Sequence, residues 1–467
     1  MIITNYSIEN FKVFSEKTDL EFAPITLIYG PNSSGKSSII QSLLVLKESL
    51  LSSNSLKSNN KYFELGSYLS VVNKHDGEKN IKFKIDVDNF EYSFKYSYNK
   101  DYNISYLDET HLKSLNDLYY NISFKPKKIT KEGVSIYGIN FDKKIIKKII
   151  KSSKFLQDIN ELLENKRPTT DEDIEKHVKK ISFSRKNNLL PLRISRSEAD
   201  ASNLLQDDEI KRFVHYYQNG VVDGISRYLN MGDRKLFTLL NNISYIGPLR
   251  PHPKRVYQLD GLVNSSVGQN GENFLSFLTL DDKYVKGVNE VLHSFGINYE
   301  INVPKLQNAI IGDTASIVLR NTNNDVTTTL VDVGFGIGQV LPIIIEGLVK
   351  EKASICIEQP EIHLHPKLQA NLANFFAKDI KSSQANQWII ETHSEALLLR
   401  FQRLVRHKII NPQDISIIYV DPTEYGVRTI TIPLDEDGDF KVSWPNGFFE
   451  ERLDEMFGGN PLEDNHL

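Results

Sequence analysis

"ITLIYGPNSSGKSSIIQSLLVL", Ile25 to Leu46, decides the fold of this chain. A short, largely apolar run enters Gly30, a loop with the spacing G-x-x-x-x-G-K-S follows, and from Lys36 the residues Ile39, Ile40, Leu43, Leu44 and Leu46 cluster on one helical face. Strand, glycine loop and helix in that order make a phosphate-binding unit. Glycines let backbone N–H groups turn inward around phosphate oxygens, and the helix N-terminus adds positive partial charge. Lys36 would reach the outer phosphates and Ser37 would ligate magnesium. The expected cradle for ATP and Mg2+ is therefore Gly30, Pro31, Asn32, Ser33, Ser34, Gly35, Lys36, Ser37 and Ser38.

Outward from this loop, the same rhythm returns after residue 243. "ASICIEQPEIHLHP" (Ala353–Pro366) carries a buried-strand pattern that ends in Glu358, and an acid at that point is expected to hold the magnesium. The next residue is Gln359, whose amide cannot take a proton. "WIIETHSE" places His393 just past another apolar strand, where it would sense phosphate. "LVDVGFGIGQ" leads into an apolar helix, Pro366 opens another, and "ISIIYV" is a further strand. Strands alternating with helices imply a largely parallel sheet. His363 and His365 do not share a helical face and have no cysteine cluster beside them, so a metal site is not expected there.

Between residues 76 and 242 the pattern changes. "NIKFKIDVD" and "FEYSFKYSY" alternate in steps of two, as half-buried antiparallel strands do. "FDKKIIKKIIKSSKFLQDINELLEN" then takes helical spacing, with Ile145, Ile146, Ile149, Ile150 and Leu156 on one side and lysines on the other. Two readings of Lys143, Lys144, Lys147 and Lys148 stay open: an electrostatic footprint for nucleic acid, or the solvated face of a helix whose isoleucines pack inward. "GPLRPHPKR" leaves three: contact with nucleotide phosphates, contact with nucleic acid, or a solvated loop.

The ordered set "IENFKVF", "GPNSSGKS", "IGPLRPHPKR", "DVGFGIGQVLP", "IEQPEIHLHP", "ETHSEALLLR" and "WPNGFFEE" resembles the ABC-type ATPases of the RecF, OLD and SMC branch. It is more closely similar to a prokaryotic subgroup of stand-alone ATPases with a poorly characterised C-terminal region. The resemblance implies an α/β fold: an ABC-ATPase-like P-loop head with a mixed, largely parallel sheet, an antiparallel β lobe and a helical insertion. The expected division is 1–75 and 243–467 for the two parts of the head, and 76–242 for the inserted lobe.

The same resemblance makes "GFGIGQ" a signature loop that crosses a dimer interface, with Gly336, Gly338 and Gln339 as contact residues. It implies an ATP-dependent homodimer or higher oligomer that controls a separate effector, a nuclease or toxin, in antiviral defence. Where this chain has Gln359, related ATPases often carry a second acid as general base, and losing that help costs about 100- to 10,000-fold in rate. Slow turnover is the expectation, with Glu361 as a substitute base across a turn. The alternative is a RecF-like DNA-binding ATPase of repair or maintenance. "DEDGD" (Asp435–Asp439) reads as a hairpin turn, and no nuclease domain is expected after His393.

Composition bounds the remainder. With 56 basic and 60 acidic residues, the 467-residue chain is not a globally basic nucleic-acid coat. The single cysteine, Cys356, excludes an intrachain disulfide. "MIITNYSIENFKVF" lacks the pattern of a secretory signal, and "VLPIIIEGLV" is too short to span a bilayer, so a cytoplasmic protein without a membrane partner is expected.

Overall fold

The computed structural model describes residues 2–445 except 53–54, 117–120, 132, 143, 152, 155, 158–174, 176–177, 179–181, 185–188, 191–192, 196–207, 260–263, 309, 311, 334 and 425. In chain order the strands are β1 (Ile3–Glu9), β2 (Thr18–Glu21), β3 (Ile25–Tyr29), β4 (Ile81–Val87), β5 (Phe90–Asn99), β6 (Ile104–Ser114), β7 (Asn121–Thr130), β8 (Gly133–Phe141), β9 (Ser182–Ser184), β10 (Arg193–Ser195) and β11 (Ile243–Ile246). Six short strands follow: β12 (Tyr257–Gln258), β13 (Tyr299–Asn302), β14 (Lys305–Leu306), β15 (Thr314–Ala315), β16 (Val318–Asn321) and β17 (Thr327–Thr329). The last are β18 (Ser354–Glu358), β19 (Gln387–Glu391), β20 (Ile415–Thr423) and β21 (Gly426–Thr431). The helices that matter for the site are α1 (Lys36–Ser52), α2 (Lys144–Lys151), α3 (Asp208–Asn241), α4 (Phe335–Val349), α5 (Pro366–Asp379) and α6 (Glu395–Arg406).

Internal contacts divide the chain into two units, one of residues 3–19 and 41–241, the other of 20–40 and 242–467. The second unit carries a six-stranded sheet in the order β11-β18-β19-β3-β20-β21. Its first five strands are parallel and β21 closes the edge antiparallel. β3, β18 and β19 are buried at every position, which requires cover on both faces and explains their nearly unbroken apolar runs. Leu27, Ile355, Ile357 and Ile390 of the strands share one buried cluster with Leu341, Ile344, Leu372, Phe376 and Phe401 of the helices. Trp388 is fully buried in that cluster, its Nε1 donating to Asp379 Oδ2 at 2.7 Å and its ring beside Phe375 and Phe376. The mixed, largely parallel sheet expected from sequence is present.

The nine-stranded sheet has the order β10-β9-β8-β7-β6-β5-β4-β1-β2, and its pairings from β10 through β1 are antiparallel. β4 and β5 join through a two-residue turn at Asp88 and Asn89, where Asp88 has φ 50° as a hairpin turn of this type needs. Ile81, Phe83 and Ile85 of β4 and Phe90, Tyr92, Phe94 and Tyr96 of β5 point to the core. On the other face the strands carry charge, as in the pairs Lys84–Glu91 at 2.8 Å and Lys95–Asp108 at 2.6 Å. β1 belongs to this sheet, pairing antiparallel with β4, although it is close in sequence to β3.

Two helices of the first unit bear on the sequence expectations. In α2, Ile145 and Ile149 are buried while Lys144 and Lys147 are exposed, so its isoleucines do pack inward. The side of α3 that receives them is cleared by a glycine, since a Cβ at Gly224 would fall 2.4 Å from Ile149. Lys143 lies outside the described residues. α3 itself, 34 residues long, was not anticipated from sequence. No helix among the described residues is long and apolar enough to cross a membrane.

Candidate functional site

The carboxyl ends of β3, β18 and β19 meet at one edge of the six-stranded sheet, because parallel pairing sets Glu358 opposite Glu391 and Glu391 opposite Ile28. Ligands of open parallel sheets bind outside such an edge, where the chain turns from strand to helix. The turn after β3 needs two glycines. Gly30 has φ 147°, and a Cβ there would fall 2.4 Å from the carbonyl oxygen of Val420; Gly35 has φ 103°. Between them Asn32 and Ser33 are exposed, Ser33 in the left-handed region at φ 61°, and Ser34 is buried. α1 then starts at Lys36.

Lys36 is 4% exposed and folded back on its own loop, its Nζ donating to the carbonyls of Gly30 at 3.0 Å and Pro31 at 2.7 Å. Burial pulls its pKa down, against the opposing pull of Glu391 and Glu361. Ser37 Oγ donates to Glu391 Oε1 at 3.0 Å. Glu391 is 4% exposed, and its Oε2 has no hydrogen-bond partner among the described residues. Burial raises its pKa, offset by the Ser37 bond and the Lys36 charge. The residues present thus fit a magnesium nucleotide: a buried lysine, a serine hydroxyl at the helix start, and an orphaned buried carboxylate oxygen.

Glu358 ends β18 and is 8% exposed, beside Tyr245 of β11, whose hydroxyl pKa is raised by burial first and by Glu358 next. Gln359 follows in the left-handed region at φ 45°, its N–H donating to the Glu391 carbonyl at 2.7 Å. The backbone therefore turns at Gln359, and Glu361 comes round to the loop after β19. Glu361 Oε1 accepts from the His393 N–H at 2.7 Å and Oε2 from Thr392 Oγ1 at 2.8 Å. Burial raises the Glu361 pKa and those bonds oppose it. His393 is half-buried, and burial with the Lys36 charge keeps its pKa below the usual imidazole range. Lys36, Ser37, Glu358, Gln359, Glu361 and His393 are thus gathered at the edge of this sheet.

The loop "GPLRPHPKR" splits. Arg250 is 8% exposed, its Nη2 donates to the Glu358 carbonyl at 3.4 Å, and its Nε and Nη1 have no hydrogen-bond partner among the described residues. Burial lowers its pKa to about 10, opposed by Glu361 and Tyr245. Arg255 is exposed and holds Asp332 through two bonds of 2.7 and 2.9 Å, which bring the Asp332 pKa to about 2. Asp332 leads into α4, whose first turns contain Gly336, Gly338 and Gln339. Gly338 packs on Pro253, where a Cβ would come within 2.8 Å of the ring, and Gln339 is 3% exposed. Of the two histidines of "EIHLHP", His363 sits in the left-handed region at φ 62°, and His365 caps α5 by accepting the Lys367 N–H on Nδ1 at 3.2 Å. No group of three or more metal-ligating side chains occurs among the described residues.

Sequence reasoning missed Glu391 and the burial of Arg250. Glu391 had a legible signal, because it ends a buried five-residue run just as Glu358 does. The C-terminal segment also touches this region: Trp444 packs edge-on against Tyr29, the last residue before the loop, and against Tyr419.

The family described as AAA ATPase domain matches residues 1–398, and the family described as Protein of unknown function (DUF3696) matches residues 410–457. No curated protein matches the chain. Among solved structures it is similar to the SMC head domain from Thermotoga maritima, at 10% identity over 92% of this chain and 99% of that one, with a TM-score of 0.38. It is also similar to an SMC head bound to the C-winged helix domain of ScpA (12% identity, 93% and 99% covered, TM-score 0.43). A third is the Smc head domain with an extended coiled coil bound to the C-terminal domain of ScpA derived from Pyrococcus furiosus (12% identity, 97% and 98% covered, TM-score 0.39).

Proposed function

The chain belongs to the AAA ATPase domain family, and from that premise we propose that it is a slow ATPase used as a switch: it binds Mg-ATP at Gly30–Ser38, pairs with a second copy in that state, and releases the pairing on hydrolysis. The observation that carries this is the convergence at one sheet edge of the loop with its buried Lys36, the acid Glu358, and Gln359 where a general base is expected. Bound magnesium would neutralise charge on the outer phosphates. Lys36, now held by the carbonyls of Gly30 and Pro31, would turn to those phosphates, Ser37 and Glu358 would hold the metal, and a ring N–H of His393 would donate to the outer phosphate.

Gln359 orients water without taking its proton, so the ATP state persists. Glu361 has both oxygens engaged by Thr392 and His393, which supports reading it as a latch between the two loops more than as the missing base. Gly336 and Gly338 open α4 as the signature loop facing a partner's nucleotide, and the Arg255–Asp332 pair holds that loop to the basic one. The effector is a separate protein, a nuclease or toxin in antiviral defence, and the setting is the cytoplasm. The DNA-maintenance alternative stands beside this reading, since exposed Lys144 and Lys147 on α2 suit a nucleic-acid footprint as well as a solvated helix face.

Light scattering of the purified chain with Mg-ATP tests this reading. A shift to a dimer or larger species that Lys36→Ala abolishes is expected; an unchanged mass with nucleotide bound contradicts it, and DNA-stimulated turnover would favour the maintenance role.

A further inference from the structure

Three acids lie near the phosphate loop, and the reading above gives a metal role to one of them. The acid that holds the loop's serine is another: Glu391 Oε1 accepts from Ser37 Oγ at 3.0 Å. Its second oxygen, on a residue 4% exposed, has no hydrogen-bond partner among the described residues, a costly arrangement unless something arrives to use it. β19 lies between β18 and β3, so Glu391 is set between the acid strand and the loop strand, and its carbonyl also fixes Gln359 through the Gln359 N–H.

We propose that Glu391 is a second acid of the magnesium–nucleotide site: it holds the Ser37 hydroxyl while the site is empty and, when the metal arrives, gives up Ser37 to it and bears on the metal's water shell through the otherwise unpartnered Oε2. This rests on the reading of Gly30–Ser38 as a nucleotide loop. Two physical points support it. A carboxylate beside a serine that ligates magnesium adds negative charge where a doubly charged cation sits, and outer-sphere carboxylates of this kind govern metal affinity by about 10- to 100-fold. The same charge repels a nucleotide that arrives without its metal, so Glu391 couples metal and nucleotide instead of simply strengthening one of them.

The test is calorimetric binding of the non-hydrolysable analogue AMP-PNP to the full chain, in excess Mg2+ and in EDTA, for wild type, Glu391→Gln and Glu391→Asp. Glu391→Gln is isosteric and removes a buried charge, so the fold is expected to hold, with a thermal midpoint at or above that of wild type. The expected result is a fall of about tenfold or more in the ratio of affinity with Mg2+ to affinity without it, the EDTA value staying level or rising. Glu391→Asp keeps the charge at shorter reach and is expected to retain part of the coupling, which also serves if Glu391→Gln does not fold. An unchanged ratio in Glu391→Gln, or in Glu391→Asp should Glu391→Gln not fold, overturns the proposal and leaves Glu391 as an acceptor for Ser37 alone. Equal losses with and without Mg2+ overturn it too, since they would mean that Glu391 shapes the loop and not the metal site. If wild type binds no nucleotide in either condition, the nucleotide reading itself fails and this inference with it, an outcome told apart because it needs no variant.

Discussion

In the six-stranded sheet β3, β18 and β19 are buried at every residue, whereas in the nine-stranded sheet β4 and β5 alternate buried and open positions. Those three strands have no open face on which to put chemistry, so their functional side chains gather at the strand ends, as Glu358 and Glu391 do. The nine-stranded sheet has a whole face for charged residues, and pairs such as Lys84–Glu91 and Lys95–Asp108 satisfy one another there. Charge at a strand end is placed by the fold and carries a task; charge along an open face is mostly solvated. The difference also separates a buried lysine, Lys36, from the many exposed ones.

The comparison can be broken most severely at the loop. Lys36→Ala is expected to lose about 100-fold or more in ATP affinity, measured by calorimetry, because a buried cation facing phosphates has no substitute nearby. In the core beneath, Trp388→Ala is expected to cost about 3–5 kcal/mol in a denaturant titration, from the cavity and from the stranded Asp379 acceptor. Asp379 sharpens the contrast through pH. Burial raises its pKa from the ordinary aspartate value of 3.8 to about 6, so its contribution to stability is fully present below about 3.8 and is lost as pH rises through about 6. Wild type should therefore lose stability relative to Asp379→Asn across that window in thermal melts; parallel curves would remove the argument. On the open face of the other sheet, Lys84→Met is expected to change stability by about 1 kcal/mol or less, since both partners of its ion pair keep access to water.

Much of the six-stranded sheet was legible because parallel strands covered on both faces read as short apolar runs, and the G-x-x-x-x-G-K-S spacing fixed where the loop must turn. Lys36, Ser37, Glu358 and His393 could be singled out for that reason. What was not legible depends on pairing or burial at a distance. Nothing local says that β1 joins β4 while β3, a few residues on, joins β19 and β20. The long α3 was hidden because its polar, glycine-bearing sequence makes a helix only where Gly220, Gly224 and Gly232 let Leu156, Ile149 and Leu112 approach. Arg250 sat in a proline-rich basic loop, and composition could not distinguish its buried guanidinium from the exposed one of Arg255. Glu391 was passed over beside the more conspicuous His393, although both acids close runs of the same length and burial.

The account turns on Gln359, a residue held in a left-handed turn by its N–H bond to the Glu391 carbonyl, at the place where a proton acceptor is expected. Single-turnover hydrolysis of ATP by wild type and by Gln359→Glu tests it most directly. The account predicts slow cleavage by wild type and an acceleration of about 100- to 10,000-fold once a carboxylate replaces the amide. Rapid cleavage by wild type, with no gain in Gln359→Glu, would contradict it and make the chain a cycling ATPase rather than an ATP-held switch.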